Sequence, residues 1–209
     1  MTTRLYLARH AETDANANGE TQGWRDVPLN ARGREQARVM AEAFRARPLA
    51  AIYASDTGRA RDTAAAIAAP HGLEVRADPR LREMDQGLLD GLTGEQLRHE
   101  HATFLQRWRD EDPADLRMPE GETLREVQER MVAAVEAMAA AHPDASVLAV
   151  SHNLASKALL CHALGIPLAA FRRIHVDLAS YAEIEVRSGE PWTVNRMNER
   201  CHLPGLLPT

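Results

Sequence analysis

The sequence predicts an α/β fold, a three-layer α/β/α sandwich with a mostly parallel central sheet. Three observations carry this expectation. Short apolar runs alternate with longer stretches of helical spacing, the pattern of a sheet covered by helices. Two of the runs, Leu5–Ala8 and Val147–Val150, are apolar enough to be buried strands. Each of them runs into a histidine, through Arg9-His10 in one case and Ser151-His152 in the other. Open sheets of this kind bind ligands at the carboxyl ends of their strands, so both histidines belong at one sheet edge.

The elements follow in order. Leu5–Ala8 is the first strand, and a polar loop runs from Ala11 to Asn30. Residues Ala31–Arg47 have helical spacing, with Ala37, Met40, Ala41 and Phe44 on one face, and Pro48 ends the run. Ala50–Ala54 is a second strand. Ser55-Asp56 can cap a helix over Thr57–Ala69, which Pro70 and Gly72 close. Leu73–Arg76 is a third strand. Residues 78–122 are polar and rich in glycine and charge, with helical pieces near Glu95–Glu100 and Thr103–Arg109; so long an excursion between core elements predicts an insertion or lid beside a substrate site. Thr123-Leu124-Arg125-Glu126 is a capping box that opens a helix to about Ala141. After the strand at 147–150, a helix covers Leu154–Leu164 and stops at Gly165 and Pro167. Ala182–Val186 and Trp192–Arg196 pair as a closing hairpin, and the tail Cys201–Thr209 reads as irregular.

Composition narrows the function. A chain of 209 residues suits one domain of the larger kind. A net charge of −5 argues against a general nucleic-acid binder, without excluding a small anionic ligand held by local charge. No apolar stretch reaches the roughly 20 residues that span a bilayer. No signal-peptide pattern opens the chain, and two cysteines require no disulfide framework, so a cytoplasmic protein without a membrane partner is expected. His99-Glu100-His101 reads as a solvated helix turn rather than a metal site. An edge strand or the helix at 31–47 leaves a homodimer open.

A strand that ends on Arg9-His10 sets an imidazole beside a fixed cation, which is what attack on a phosphoryl group needs. Further blocks follow in order. They are Ala11-Glu12-Thr13 with Asn16, Gln22-Gly23 with Asp26-Val27-Pro28-Leu29, and Gly33 with Gln36-Ala37. Then come Tyr53-Ala54-Ser55-Asp56, Arg59-Ala60 with Thr63-Ala64, and Leu81-Arg82-Glu83. Pro119-Glu120-Gly121-Glu122-Thr123 and Val150-Ser151-His152-Asn153 complete the set. Across residues 5–157 the chain resembles the histidine phosphatase superfamily in its phosphoglycerate-mutase-like branch.

The resemblance implies a single histidine-phosphatase domain over 1–209 that needs neither metal nor other cofactor and acts on a small phosphorylated substrate. It implies that His10 is the nucleophile and is phosphorylated in the reaction. It implies that Arg9 and Arg59 clamp the phosphoryl oxygens, with His152 as a further donor, most useful when cationic. Glu83 matches the acid/base carboxyl, and would have to keep a proton long enough to donate it. Asn16, Gln22, the Gly23 backbone and the Asn153 N–H match the remaining phosphate and substrate contacts. Without the other blocks these residues have plainer readings: Arg59 is a helix-surface charge, Glu83 a loop carboxylate, Asn16 and Gln22 turn formers.

Two positions depart from the pattern. Ala11 stands where a glycine is usual, and Glu20 where an arginine is common, with Trp24 and Arg25 as candidates to compensate. The residues after Glu83 lack the basic groups of mutases, and the segment Asp110–Asp115 is acidic. Hydrolysis of a monoester with a less charged, partly apolar leaving group is therefore expected, with Trp24, Phe104 and Trp108 able to line its site or to sit in the core. Phosphoglycerate mutase activity and a non-catalytic phosphate-binding module are the alternatives.

Overall fold

The computed structural model describes residues 1–206. The expected irregular tail lies partly outside these, at 207–209; residues 201–206 form turns. Strands β1 (Thr2–Arg9), β2 (Ala51–Ala54), β3 (Val75–Ala77), β4 (Ser146–Ser151), β5 (Tyr181–Arg187) and β6 (Thr193–Glu199) form one sheet in the order β3-β2-β4-β1-β5-β6. The β3-β2-β4-β1 part is parallel, and β5 and β6 extend it antiparallel. Strand residues alternate between faces, as a period of two requires. Leu5, Leu7, Val147 and Ala149 pack with one apolar cluster, while Tyr6, Ala8, Leu148 and Val150 pack with the other.

The helices divide accordingly. α2 (Ala31–Phe44) and α3 (Gly58–Ala68) cover one face through Met40, Phe44, Ala64 and Ile67. α6 (Leu124–Ala141) and α7 (Asn153–Ala163) cover the other through Val127, Met131, Leu159 and Leu160. This is the expected three-layer arrangement. The capping box of α6 forms as the sequence suggests, with Thr123 and Glu126 satisfying each other's backbone N–H.

Local departures have physical causes. β1 begins earlier than its apolar run because Thr2–Arg4 pair with Glu185–Arg187. α2 stops at Phe44 rather than Arg47, whose guanidinium instead lies over the rings of Tyr6, Phe44 and Tyr181. The expected Ser55-Asp56 cap of α3 does not form. Asp56 is drawn into an ion pair with Arg82, and the Gly58 N–H is met by Asp26 at 2.8 Å from a distant loop. A four-residue helix, α1 (Asp14–Ala17), interrupts the loop at 11–30, closed by a Thr13/Asn16 capping box.

Residues 78–122 hold the short helices α4 (Gly94–Glu100) and α5 (Ala102–Asp110). The segment is less detached than its polarity suggests, because Leu81, Met84, Leu89, Ala114 and Met118 are buried in the α6/α7 cluster. Phe104 and Trp108 stack on each other, and Trp108 packs against Phe171. They serve packing and do not line the cleft described below. Among the described residues, no helix is long and apolar enough to cross a membrane.

The Pro119–Thr123 block docks on the turn at 85–87. Asp85 and Glu122 are tied twice, the Glu122 N–H donating to Asp85 O at 3.1 Å and the Asp85 N–H to the Glu122 side-chain Oε2 at 2.8 Å. The approach is so close that a Cβ at Gly121 would lie 2.2 Å from Asp85 O. Gly87, at φ +50°, sits equally tightly against Pro119 O. Gly121→Ala should therefore lower unfolding stability by about 2 kcal/mol or more. Urea denaturation checks this, and an unchanged midpoint would show that the two loops yield freely.

Candidate active site

β1 and β4 lie side by side in parallel, with Arg9 opposite Ser151. The next residue of each chain segment is a histidine, so the register alone brings His10 and His152 together. Their ring centroids are 5.0 Å apart. Both are buried, at the carboxyl edge of the sheet where such folds bind ligands.

A cleft of about 250 Å³ opens above them, lined by Arg9, His10, Asn16, Glu20, Thr21, Gln22, Glu83, Gln86, Asn153 and Leu154. Six of the expected site residues are thus together at its wall. His152 touches it through the His10 ring, and Arg59 lies fully buried beneath. Gly23 is different. Its N–H is taken by Asp90 Oδ1 at 3.0 Å and its carbonyl by Arg59 Nη2 at 2.7 Å, so it shapes the loop and does not face the cleft. Asp90 also accepts from the Arg25 N–H, and Arg59 Nη1 donates to Arg25 O. The loop is therefore clamped from both sides.

His10 Nδ1 lies 2.8 Å from the carbonyl oxygen of Ala11. Only a protonated nitrogen can make that bond, so Nδ1 carries the hydrogen and Nε2 keeps its lone pair. Burial, then the charges of Arg59 and Arg9, hold the His10 pKa well below the ordinary histidine value. The same order of causes, burial first and Arg59 next, depresses His152. This favours the neutral form of His152, so the cationic state in which it would donate best is disfavoured here. A neutral imidazole still donates through one nitrogen.

Several buried nitrogens at this place have no hydrogen-bond partner among the described residues: Arg9 Nε, Arg59 Nε, Gln22 Nε2 and both ring nitrogens of His152. Buried polar atoms are normally paired, so a group of unpaired nitrogens beside a cleft is a candidate anion site. Arg9 is held by its Nη1 bond to Val176 O at 2.8 Å, and burial lowers its pKa to about 10. Thr13 is a node that the sequence reading passed over. Its hydroxyl lies 3.0 Å from both Asn16 Oδ1 and Gln22 Oε1, which orients the two amides.

Glu83 is fixed at the start of α7. Its Oε1 accepts from the N–H groups of Met84 and Ala155, both at 2.9 Å, and its Oε2 from Leu154 at 3.1 Å. Leu154 and Ala155 belong to the first turn of α7, whose N–H groups have no partner within the helix. The Glu83 carbonyl accepts from Trp24 Nε1 at 2.8 Å and Arg130 Nη2 at 2.9 Å. Arg130 also donates to Arg80 O, Arg82 O and Glu122, so one guanidinium pins the whole turn that carries Glu83. Nothing in the sequence separates Arg130 from Arg125, the other arginine of its helix.

The two departures are absorbed locally. Ala11 is fully buried, and its N–H donates to Thr63 Oγ1, which in turn donates to Arg59 O. Glu20 lines the cleft mouth but is ion-paired with Arg25. Three of the four acids of 110–115 are ion-paired as well: Asp110 with Arg109, Glu111 with Arg107, Asp115 with Arg125, while Asp112 caps the Ala114 N–H. None of them lines the cleft. Among the described residues, no group of three or more His, Cys, Asp or Glu side chains is arranged to hold a metal ion.

Comparison with known proteins gives a consistent result. The family model described as "Histidine phosphatase superfamily (branch 1)" matches residues 5–200. The chain is similar to "Probable phosphoglycerate mutase GpmB" of Cronobacter sakazakii, 36% identical over 204 residues, 96% of this chain and 94% of the relative. It is also similar to phosphoserine phosphatase 1 of Hydrogenobacter thermophilus, 32% identical over 200 residues with the same shares covered. A solved mycobacterial glucosyl-3-phosphoglycerate phosphatase superposes with a TM-score of 0.87 at 30% identity, over 96% of this chain and 100% of that one.

The depressed histidines make stability depend on pH. Above pH 6.5 neither the folded nor the unfolded chain protonates them. Below it, the unfolded chain takes up protons that His10 and His152 refuse in the fold, so stability falls as pH falls. The slope is up to about 1.4 kcal/mol per pH unit for each histidine. Urea midpoints at pH 7 and pH 5.5 should diverge less in His10→Gln than in the wild type. Equal divergence would contradict the assigned ionisation.

Proposed function

The chain belongs to the histidine phosphatase superfamily, and on that premise we propose that it hydrolyses phosphate monoesters through a phosphohistidine on His10. One observation carries the reading: unpaired buried nitrogens of Arg9, Arg59, Gln22 and His152 gather beside a neutral imidazole whose Nε2 is free. A phosphate monoester repels nucleophiles until its oxygens are held by donors, and preorganised donors do this without reorganisation.

In the proposed first step, His10 Nε2 attacks phosphorus in line. An N–P bond forms as the ester P–O bond breaks, and Glu83 gives its proton to the leaving oxygen. Arg9, Arg59, His152, Gln22, Asn16 and the Asn153 N–H hold the equatorial oxygens. In the second step water attacks phosphorus, Glu83 takes its proton, and the N–P bond breaks to restore neutral His10. Every charge that this scheme requires is supplied by side chains and backbone N–H groups of the chain itself.

The leaving group need not be uncharged. Three of the four acids that argued for that restriction are paired with arginines, and all four lie away from the cleft. The relatives are named for phosphoglycerate, phosphoserine and glucosyl-3-phosphoglycerate, each a phosphate ester that carries a carboxylate. The first of these names favours phosphoglycerate mutase as a second reading. Against it, the residues after Glu83 bring no cation into the cleft: Met84 is buried, Asp85 is bound to Glu122, and only Gln86 reaches the wall. A bisphosphorylated intermediate has correspondingly little to hold it.

His10→Ala should reduce release of phosphate from 4-nitrophenyl phosphate at least roughly 1000-fold while leaving the fold intact. Retained turnover would remove the nucleophile. Glu83→Gln should slow an alkyl phosphate roughly 100-fold more than the aryl ester, because only the poorer leaving group needs the proton. Equal losses would deny Glu83 that role. Isomerisation of 3-phosphoglycerate faster than its hydrolysis, with bisphosphoglycerate as primer, would establish the mutase instead.

A further inference from the structure

We propose that Lys157 is a specificity-determining residue that binds a carboxylate on the leaving portion of the substrate. This rests on the hydrolase reading above and names the substrate class: phosphate esters of short hydroxy acids.

The placement comes from α7. Asn153 and Leu154, at its start, line the cleft. Lys157 follows them by four and three residues, so it stands on the same helix face, about 6 Å further along the axis. Side chains on a helix lean toward its N-terminus, and the four-carbon lysine chain reaches back over the preceding turn. Lys157 is not itself among the residues that line the cleft, but the two charged groups that act on it, Arg9 and Glu83, both are.

Lys157 is half-buried, yet among the described residues its ammonium has neither a hydrogen bond nor an ion pair. Burial lowers its pKa, and the charges that act on it are those of Arg9, which lowers it further, and Glu83, which raises it. Glu83 is not available as its partner. Both Glu83 oxygens are occupied by the N–H groups of Met84, Leu154 and Ala155. The other acid at the wall, Glu20, is bound by Arg25. A partly desolvated ammonium beside an anion site, with each nearby carboxylate already engaged, is matched by an anion that arrives with the ligand.

The spacing limits that anion. Lys157 stands about one helical turn beyond Asn153, whose N–H holds the phosphoryl group on the reading above. A carboxylate two or three bonds from the ester oxygen spans this distance; a long-chain ester would pass it. The phosphoryl clamp therefore takes the phosphate, and Lys157 sorts substrates by what is attached to it.

The test uses the full chain and three esters: 3-phosphoglycerate, glycerol 3-phosphate, which carries a hydroxymethyl in place of the carboxylate, and 4-nitrophenyl phosphate. Release of inorganic phosphate is measured for wild type, Lys157→Met and Lys157→Arg. Wild type should favour 3-phosphoglycerate over glycerol 3-phosphate at least roughly tenfold in kcat/KM. Lys157→Met should bring that ratio to within about twofold of one, mainly by raising KM for the acid, and Lys157→Arg should keep most of it. A wild-type ratio near one, or a ratio unmoved in Lys157→Met, would overturn the assignment while leaving the hydrolase standing. Release of phosphate from none of the three esters would overturn the hydrolase reading and Lys157's place in it together.

Discussion

The register between β1 and β4 is the constraint on which the rest depends. Because Arg9 lies opposite Ser151, the residues that leave the two strands are His10 and His152. A slip of one residue would turn the strand side chains to the wrong faces and separate the rings. Two apolar clusters prevent that slip. Leu5, Leu7, Val147 and Ala149 can be buried only against α6 and α7, and their neighbours only against α2 and α3. The two histidines are therefore held together by the core of the protein. Ser151 adds a further tie, its hydroxyl donating to Leu81 O at 2.8 Å, two residues before Glu83.

Charge distribution explains why such a site should receive an anion. Arg9 and Arg59 are buried with their Nε atoms unpaired, and both are pushed toward lower pKa by that burial. Their field, together with burial, keeps the two imidazoles neutral. On the proposed reading, a dianion held in the cleft pairs the free Nε atoms of the guanidiniums and gives His152 an acceptor, the form of preorganisation that favours a charged transition state.

Much of this was legible in the sequence. The strands around His10 and His152, the helices at 31–44 and 124–141, and the capping box at Thr123 follow from apolar spacing and cap chemistry alone. The candidate site residues were named through ordered blocks, since no single one is informative by itself, and the structure brings six of them to one cleft wall. What remained hidden depends on contacts between distant segments. Asp26 supplies the cap of α3 that Ser55-Asp56 was expected to provide. Gly23 is committed to Asp90 and Arg59, which lie 67 and 36 residues away. Arg130 pins the Glu83 turn from a helix whose surface is otherwise ordinary. The charge of the Asp110–Asp115 segment was read correctly from composition, but its effect was not, because each paired arginine is placed by folding. Periodicity reports which face is buried; it does not report which donor meets which acceptor.

The convergence of the two imidazoles on one phosphoryl group is tested most directly by a crystal structure with orthovanadate. Expected is a vanadium atom bonded to His10 Nε2, with its oxygens within hydrogen-bond distance of Arg9, Arg59 and His152 and one apical oxygen near Glu83. Vanadate bound elsewhere, or held at the cleft mouth without reaching His10, would contradict it.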